Sequence, residues 1–123
     1  MKVFNQAAAA GYGEYLFDDS DDNYEMVSVR CIPAGTEFGV RISGDSMEPK
    51  IHDGDIAFVK RQPAVDTGEI GIFIYDDNAF CKQLTYKNGH YYLHSLNSRY
   101  RDIPLYGDSI YCVGKVIGSD SVE

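Results

Sequence analysis

The sequence predicts a mostly β domain, built as a single twisted and partly closed mixed β-sheet. Three observations carry that reading. From Tyr24 onward apolar and polar residues alternate at the two-residue period of strands, and no stretch keeps a 3.6-residue apolar period over three turns. Turn signals separate the runs, with Asn88-Gly89 the strongest of them. Twelve Gly and ten Tyr among 123 residues, with 44% hydrophobic residues, suit short strands joined by tight turns around one core.

Taken in order, residues 1–23 read as a segment distinct from the domain at 24–123. Ala7-Ala8-Ala9-Ala10-Gly11-Tyr12-Gly13 favours helix at its alanines, but its glycines and its length make an isolated helix marginal. Asp18-Asp19-Ser20-Asp21-Asp22-Asn23 follows as an acidic, solvated linker. A calcium loop starting at Asp18 needs Gly at its sixth position and Glu at its twelfth, where Asn23 and Val29 stand, so the linker reading prevails. Predicted strands then cover 26–32, ending at Pro33-Ala34-Gly35, and 37–42, ending at Ser43-Gly44-Asp45. A short apolar run at 56–59 follows the turn His52-Asp53-Gly54-Asp55. Runs 69–75 and 79–86 flank a hairpin turn at Asp76-Asp77-Asn78, and 90–96 follows Lys87-Asn88-Gly89. Runs 103–106 and 109–117 complete the sheet.

Charge narrows the function. Eleven Lys and Arg against nineteen Asp and Glu give −8 at pH 7, a field that repels a polyanion, and no basic stripe opposes it. No apolar run approaches the ~18–20 residues that span a bilayer, and residues 1–6 lack the apolar core of a signal peptide. Cys31, Cys81 and Cys112, odd in number and far apart, fit reduced thiols and a cytoplasmic setting. No cofactor is expected.

Two residues stand out chemically. Gly44-Asp45-Ser46-Met47-Glu48-Pro49 interrupts the strand pattern with a serine where a helical turn can begin, and backbone N–H groups at such a start can hold an oxyanion. By themselves these six residues read first as a serine cap. Lys82 lies between Phe80 and Leu84 on one face of its strand. Burial there favours the neutral amine, which can take a serine's proton, while the competing reading is a lysine that carries its head out to solvent. Ala8 and Ala10, small residues at alternate positions, suit the shallow pockets that receive an extended peptide.

Together, the Gly44–Pro49 turn, Asp53-Gly54-Asp55, Phe80-Cys81-Lys82-Gln83-Leu84 and the closing Val113-Gly114-Lys115-Val116 resemble the LexA-like serine–lysine self-cleaving domain. That family includes phage CI-type repressors and UmuD-like mutagenesis proteins. The likeness runs from Ala7 to about Ile117, with serine and lysine in the expected order 36 positions apart. The wording at Ala9 to Leu16 looks most like repressors of Gram-positive phages and mobile elements. The resemblance implies that Ser46 is the nucleophile and Lys82 its base. It further implies that the Asp45 and Ser46 amides form the oxyanion hole and that Ala10–Gly11 is the bond cut. It also implies a homodimer and a RecA–single-stranded DNA filament as co-protease. Only ten residues precede that bond, whereas these repressors carry a helix-turn-helix domain there. The expectation is therefore a C-terminal piece of a repressor whose DNA contacts lie in an N-terminal domain absent from this chain. A stand-alone UmuD-like protein is the alternative.

Other groups yield less. His90 and His94 share a strand face but stand roughly 13 Å apart, too far for one metal. Tyr91, Tyr92, Tyr100, Tyr106 and Tyr111 lack the basic neighbours of a base-stacking surface and read as core or pairing face. Cys81 points away from Lys82 and reads as a buried thiol. The strand at 109–117 is apolar on both faces, which predicts dimerisation through the C-terminal strands. Two functional classes remain open: a self-cleaving peptidase domain, and a non-cleaving dimerisation or partner-binding module.

Overall fold

The computed structural model describes residues 1–6, 24–107 and 110–121. Among them there is no helix, and nine strands form one mixed sheet in the order β2-β1-β3-β4-β9-β5-β6-β7-β8, not closed on itself. The strands are β1 Lys2–Asn5, β2 Tyr24–Met26, β3 Phe38–Arg41, β4 Ile56–Arg61 and β5 Ile70–Tyr75. They continue with β6 Asn78–Lys87, β7 His90–His94, β8 Ile103–Pro104 and β9 Ile110–Asp120. All neighbours pair antiparallel except β1 and β3, which run parallel.

Both predicted hairpins form with two-residue turns. Tyr75 pairs with Asn78 across Asp76 (φ 51°) and Asp77 (φ 61°), and Lys87 pairs with His90 across Asn88 (φ 53°) and Gly89 (φ 81°). Positive φ at both central residues gives the turn whose twist matches the strands it joins. Asn78, read from sequence as part of its turn, is instead the first residue of β6.

The sheet bends at β9. β4 pairs with residues 114–120 of that strand and β5 with residues 110–115, so the two ladders overlap by only two positions. Both registers shift nearby, between Phe58 and Val59 and between Ile72 and Phe73. Gly114 lies in the overlap, where an added Cβ would come within 2.3 Å of the Lys60 carbonyl oxygen. A residue with no side chain is what lets the three backbones cross there.

Each wing of the bent sheet contributes to the main core. Phe4, Phe38, Val40 and Val59 from one side meet Ile72, Ile74, Cys81 and Val113 from the other. On the outer face of the second wing, Val65, Phe73 and Leu93 form a separate cluster. On the first wing Val3, Ile56 and Phe58 do the same.

Two expectations change. β1 has no counterpart in the sequence reading, yet Phe4 is fully buried and its ring meets Phe38 edge-on at 5.4 Å. Residues 2–5 therefore belong to the sheet, although sequence grouped them with the linker. The strand read at 26–32 shares only Met26 with β2; Val27 exchanges two backbone bonds with Met1 just past that strand, and Val29 packs against the Val3 cluster. The strand read at 109–117 forms as β9, internal to the sheet with β4 and β5 on its edges, and Tyr111 remains exposed on it. The acidic linker lies outside the described residues.

Candidate active site

The serine is held by a turn and not by a helix. Met47 and Ile51 are both about 1% exposed in the main core and pin the segment from beneath. Between them the backbone closes one turn, with the amides of Lys50 and Ile51 both donating to the Met47 carbonyl, at 3.1 and 3.0 Å. Gly44, with φ 90°, turns the chain away from β3, and its amide donates to Asp53 Oδ1 at 2.7 Å. Ser46 sits at the top of this turn, half-buried.

Lys82 comes to it from β6. Alternation sends Cys81 into the main core and leaves Lys82 on the face of Phe80 and Leu84, as the sequence indicated. Lys82 is only 6% exposed, and its Nζ donates to Ser46 Oγ at 2.6 Å. The aromatic rings of Phe80 and Tyr100 flank the amine, each 5.9 Å away. Burial pushes the amine below the ordinary lysine range, against a smaller opposing influence from Cys81. Burial likewise pushes the Cys81 thiol up, to about 12. A cysteine in that state is no nucleophile at neutral pH.

A loop in which the sequence reading marked only Tyr100, as a core or pairing-face residue, completes the arrangement. The Asn97 backbone amide donates to the Ser46 carbonyl at 2.9 Å, and its side-chain amide donates to the Asp45 carbonyl at 3.0 Å. The Tyr100 hydroxyl donates to Asp45 Oδ1, and that bond pushes the phenol upward. The Asp45 carbonyl shares its peptide unit with the Ser46 amide, so the Asn97 side chain fixes that amide, and among the described residues neither the Asp45 nor the Ser46 amide donates a hydrogen bond. Nothing in the residue pattern distinguished Asn97 from a loop asparagine; its partners lie about fifty positions away. From the other side, Gln6 accepts from the Ser43 amide at 3.1 Å and donates to the Ala79 carbonyl at 3.0 Å, joining the serine turn to the start of β6.

Ser46 and Lys82 open onto a cleft of about 360 Å³ that Ser95, Tyr100 and Arg101 also line. Ala10 and Gly11, the expected cleavage site, lie outside the described residues. His94 is taken up by Asp102, 2.6 Å away, which draws the Asp102 carboxyl below its usual range. Among the described residues no group of His, Cys, Asp or Glu is arranged to hold a metal ion.

A desolvated amine against a serine hydroxyl, beside two backbone amides that donate no hydrogen bond among the described residues, is chemically suited to nucleophilic attack on a carbonyl. The fold is that of a small single-sheet β domain with this pairing at its cleft. The chain belongs to the Peptidase S24-like family, whose model matches residues 2–117. It is 34% identical over 110 residues to a LexA repressor of Frankia casuarinae, covering 89% of this chain and 42% of the relative. A LexA repressor of Streptomyces clavuligerus is 36% identical over 110 residues, covering 89% and 45%. One from Thermosipho africanus is 31% identical over 112 residues, covering 89% and 56%. The chain thus spans about half the length of these relatives.

Proposed function

We propose that this domain is the self-cleaving regulatory part of a LexA-like, phage-type repressor, and that it cuts its own Ala10–Gly11 bond. The observation that carries the reading is the 2.6 Å contact between Lys82 Nζ and Ser46 Oγ, made by a buried lysine. With Lys82 neutral, its lone pair takes the Ser46 proton as Oγ bonds to the Ala10 carbonyl carbon. The resulting oxyanion is held by the Asp45 and Ser46 amides. Collapse breaks the C–N bond, and Lys82 returns the proton to the leaving Gly11 amine. Water then hydrolyses the ester on Ser46, with Lys82 again moving the proton.

Regulation follows from the same parts. The segment carrying Ala10 and Gly11 must occupy the cleft for cleavage, so a partner that favours the docked state speeds it. The proposed partner is a RecA–single-stranded DNA filament. Two copies pair through the C-terminal strand, supported by the edge of β9 at residues 116–120, which has no ladder partner on the β5 side. DNA is met through a domain outside this sequence, in keeping with the −8 charge here. The setting is the bacterial cytoplasm, and among the described residues no helix is long and apolar enough to cross a membrane.

Incubating the chain with RecA, single-stranded DNA and nucleotide tests the regulatory reading. The fragment beginning at Gly11 should accumulate faster than without filament. Equal rates with and without filament would count against a RecA-coupled repressor and favour a domain kept for pairing alone.

A further inference from the structure

The hydroxyl of Ser95 is buried and has no hydrogen-bond partner, the one buried side-chain oxygen or nitrogen in that state among the described residues. Such a group is unfavourable and marks a place where a partner belongs. Ser95 is 1% exposed, follows directly on β7, and lines the same cleft as Ser46 and Lys82. The β6–β7 ladder ends with Gln83 opposite His94. One step further along that register sets Lys82 opposite Ser95. Opposed residues of an antiparallel pair direct their side chains to the same face, with Cβ atoms about 4.5–5.5 Å apart.

We propose that Ser95 is a positioning residue for Lys82, its hydroxyl accepting one N–H of the amine so that the lone pair points at Ser46 Oγ. The proposal rests on the serine–lysine reading above. A neutral amine has two N–H groups and one lone pair, and among the described residues the Lys82 amine makes a single hydrogen bond, to Ser46. It has hydrogens to spare, and Ser95 has an acceptor to spare. A docked peptide is the weaker candidate for that hydroxyl, because Ser95 Oγ is shut off from solvent, and so from anything entering the cleft. The tip of a lysine on its flexible stem needs only a small rotation. Once the Ser46 proton has moved, the amine is an ammonium with three donors, and Ser95 accepts one where the charge develops.

The contact can be read without any cleavage. In the full chain carrying Ser46→Ala, which removes the amine's other partner, the Lys82 side chain is titrated by carbon-13 NMR at Cε. The titratable and charged groups around the amine are Cys81 on its own strand, Asp45 and Tyr100 across the cleft, and Arg101 at its rim; none of them is altered by substitutions at Ser95. A hydroxyl acceptor favours the charged form, so Ser95→Ala should lower the titration midpoint by about half a unit or more. Ser95→Thr should restore it. Should Ser95→Ala melt early, Ser95→Cys offers the same comparison with nearly the same volume and a poor acceptor. With Ser46 intact, Ser95→Ala should also lower the plateau rate of self-cleavage at high pH about tenfold, the factor carried by one ordinary hydrogen bond. A midpoint indifferent to Ser95, or one that threonine fails to restore, overturns the proposal whatever the cleavage rate. A shifted midpoint in a chain that never cleaves would leave the contact standing and break the dyad's function instead.

Discussion

Asn97 holds the turn of Ser46 by two bonds, its backbone amide on the Ser46 carbonyl at 2.9 Å and its side chain on the Asp45 carbonyl at 3.0 Å. The loop after β7 thereby sets the orientation of the peptide units Asp45–Ser46 and Ser46–Met47, the first of which carries the Ser46 amide. Asn97→Ala keeps the backbone bond and loses the side-chain one. The expected result is a fall in self-cleavage of roughly 10- to 100-fold, the range produced by a small misplacement of reacting groups. The melting temperature should fall by only about 3–6 °C, because one partly buried hydrogen bond contributes about 1 kcal/mol. A rate within twofold of the parent would remove Asn97 from the machinery.

Lys82 should cost the fold stability at neutral pH. Burial holds its amine below the ordinary lysine range, so the unfolded chain binds that proton more tightly than the folded one. Below the lowered folded value both states are protonated, and the penalty is present in full. It shrinks between that value and the unfolded value near 10.4, and above both it is gone. Lys82→Met should therefore raise the melting temperature at pH 7, with a gain that narrows as pH approaches 10. Denaturation curves of the two chains at pH 7 and 10 check the sign, and a gain that widens with pH contradicts it.

Cys81 should be inert. Its thiol is 1% exposed and pushed up to about 12, whereas Cys31 is exposed. Brief iodoacetamide treatment at pH 8 should modify Cys31 and leave Cys81 untouched until denaturant is added. Peptide mass mapping reads the difference, and rapid labelling of Cys81 in the folded chain would contradict the packing of β6.

Gly114→Ala should be among the most damaging single changes in the sheet. The added methyl would meet the Lys60 carbonyl oxygen at 2.3 Å and Val59 Cγ1 at 2.8 Å. Backbone on that side cannot give way without separating β4 from β9. A loss of about 3 kcal/mol, the upper part of the usual overpacking range, is expected in urea denaturation. A loss under about 0.5 kcal/mol would mean that the two ladders are looser than described.

Local patterns carried much of this in the sequence. Asp76, Asp77, Asn88 and Gly89 could be assigned to hairpins because turn chemistry acts over two to four residues. Alternation around Lys82 was enough to place Cys81 inward and the amine with Phe80 and Leu84. What could not be read is what the chain joins over long distances. β1 is four residues long, and its partners, antiparallel β2 and parallel β3, both lie beyond the linker. Nothing local in residues 110–117 reveals that their strand is internal, with β4 and β5 on its two edges. Asn97 and Ser95 are ordinary loop residues until the fold brings Ser46 and Lys82 beside them.

The central claim is that Ser46 cuts Ala10–Gly11 with neutral Lys82 as its base, and intact-mass spectrometry over time tests it most directly. The chain is incubated at pH 7 and near pH 9.5 beside Ser46→Ala and Lys82→Ala, each confirmed folded by circular dichroism. A product beginning at Gly11 should form, faster at the higher pH as more of the amine is neutral, and neither variant should yield it. Cleavage by Lys82→Ala at the parent rate, or a cut at another bond, would contradict the claim.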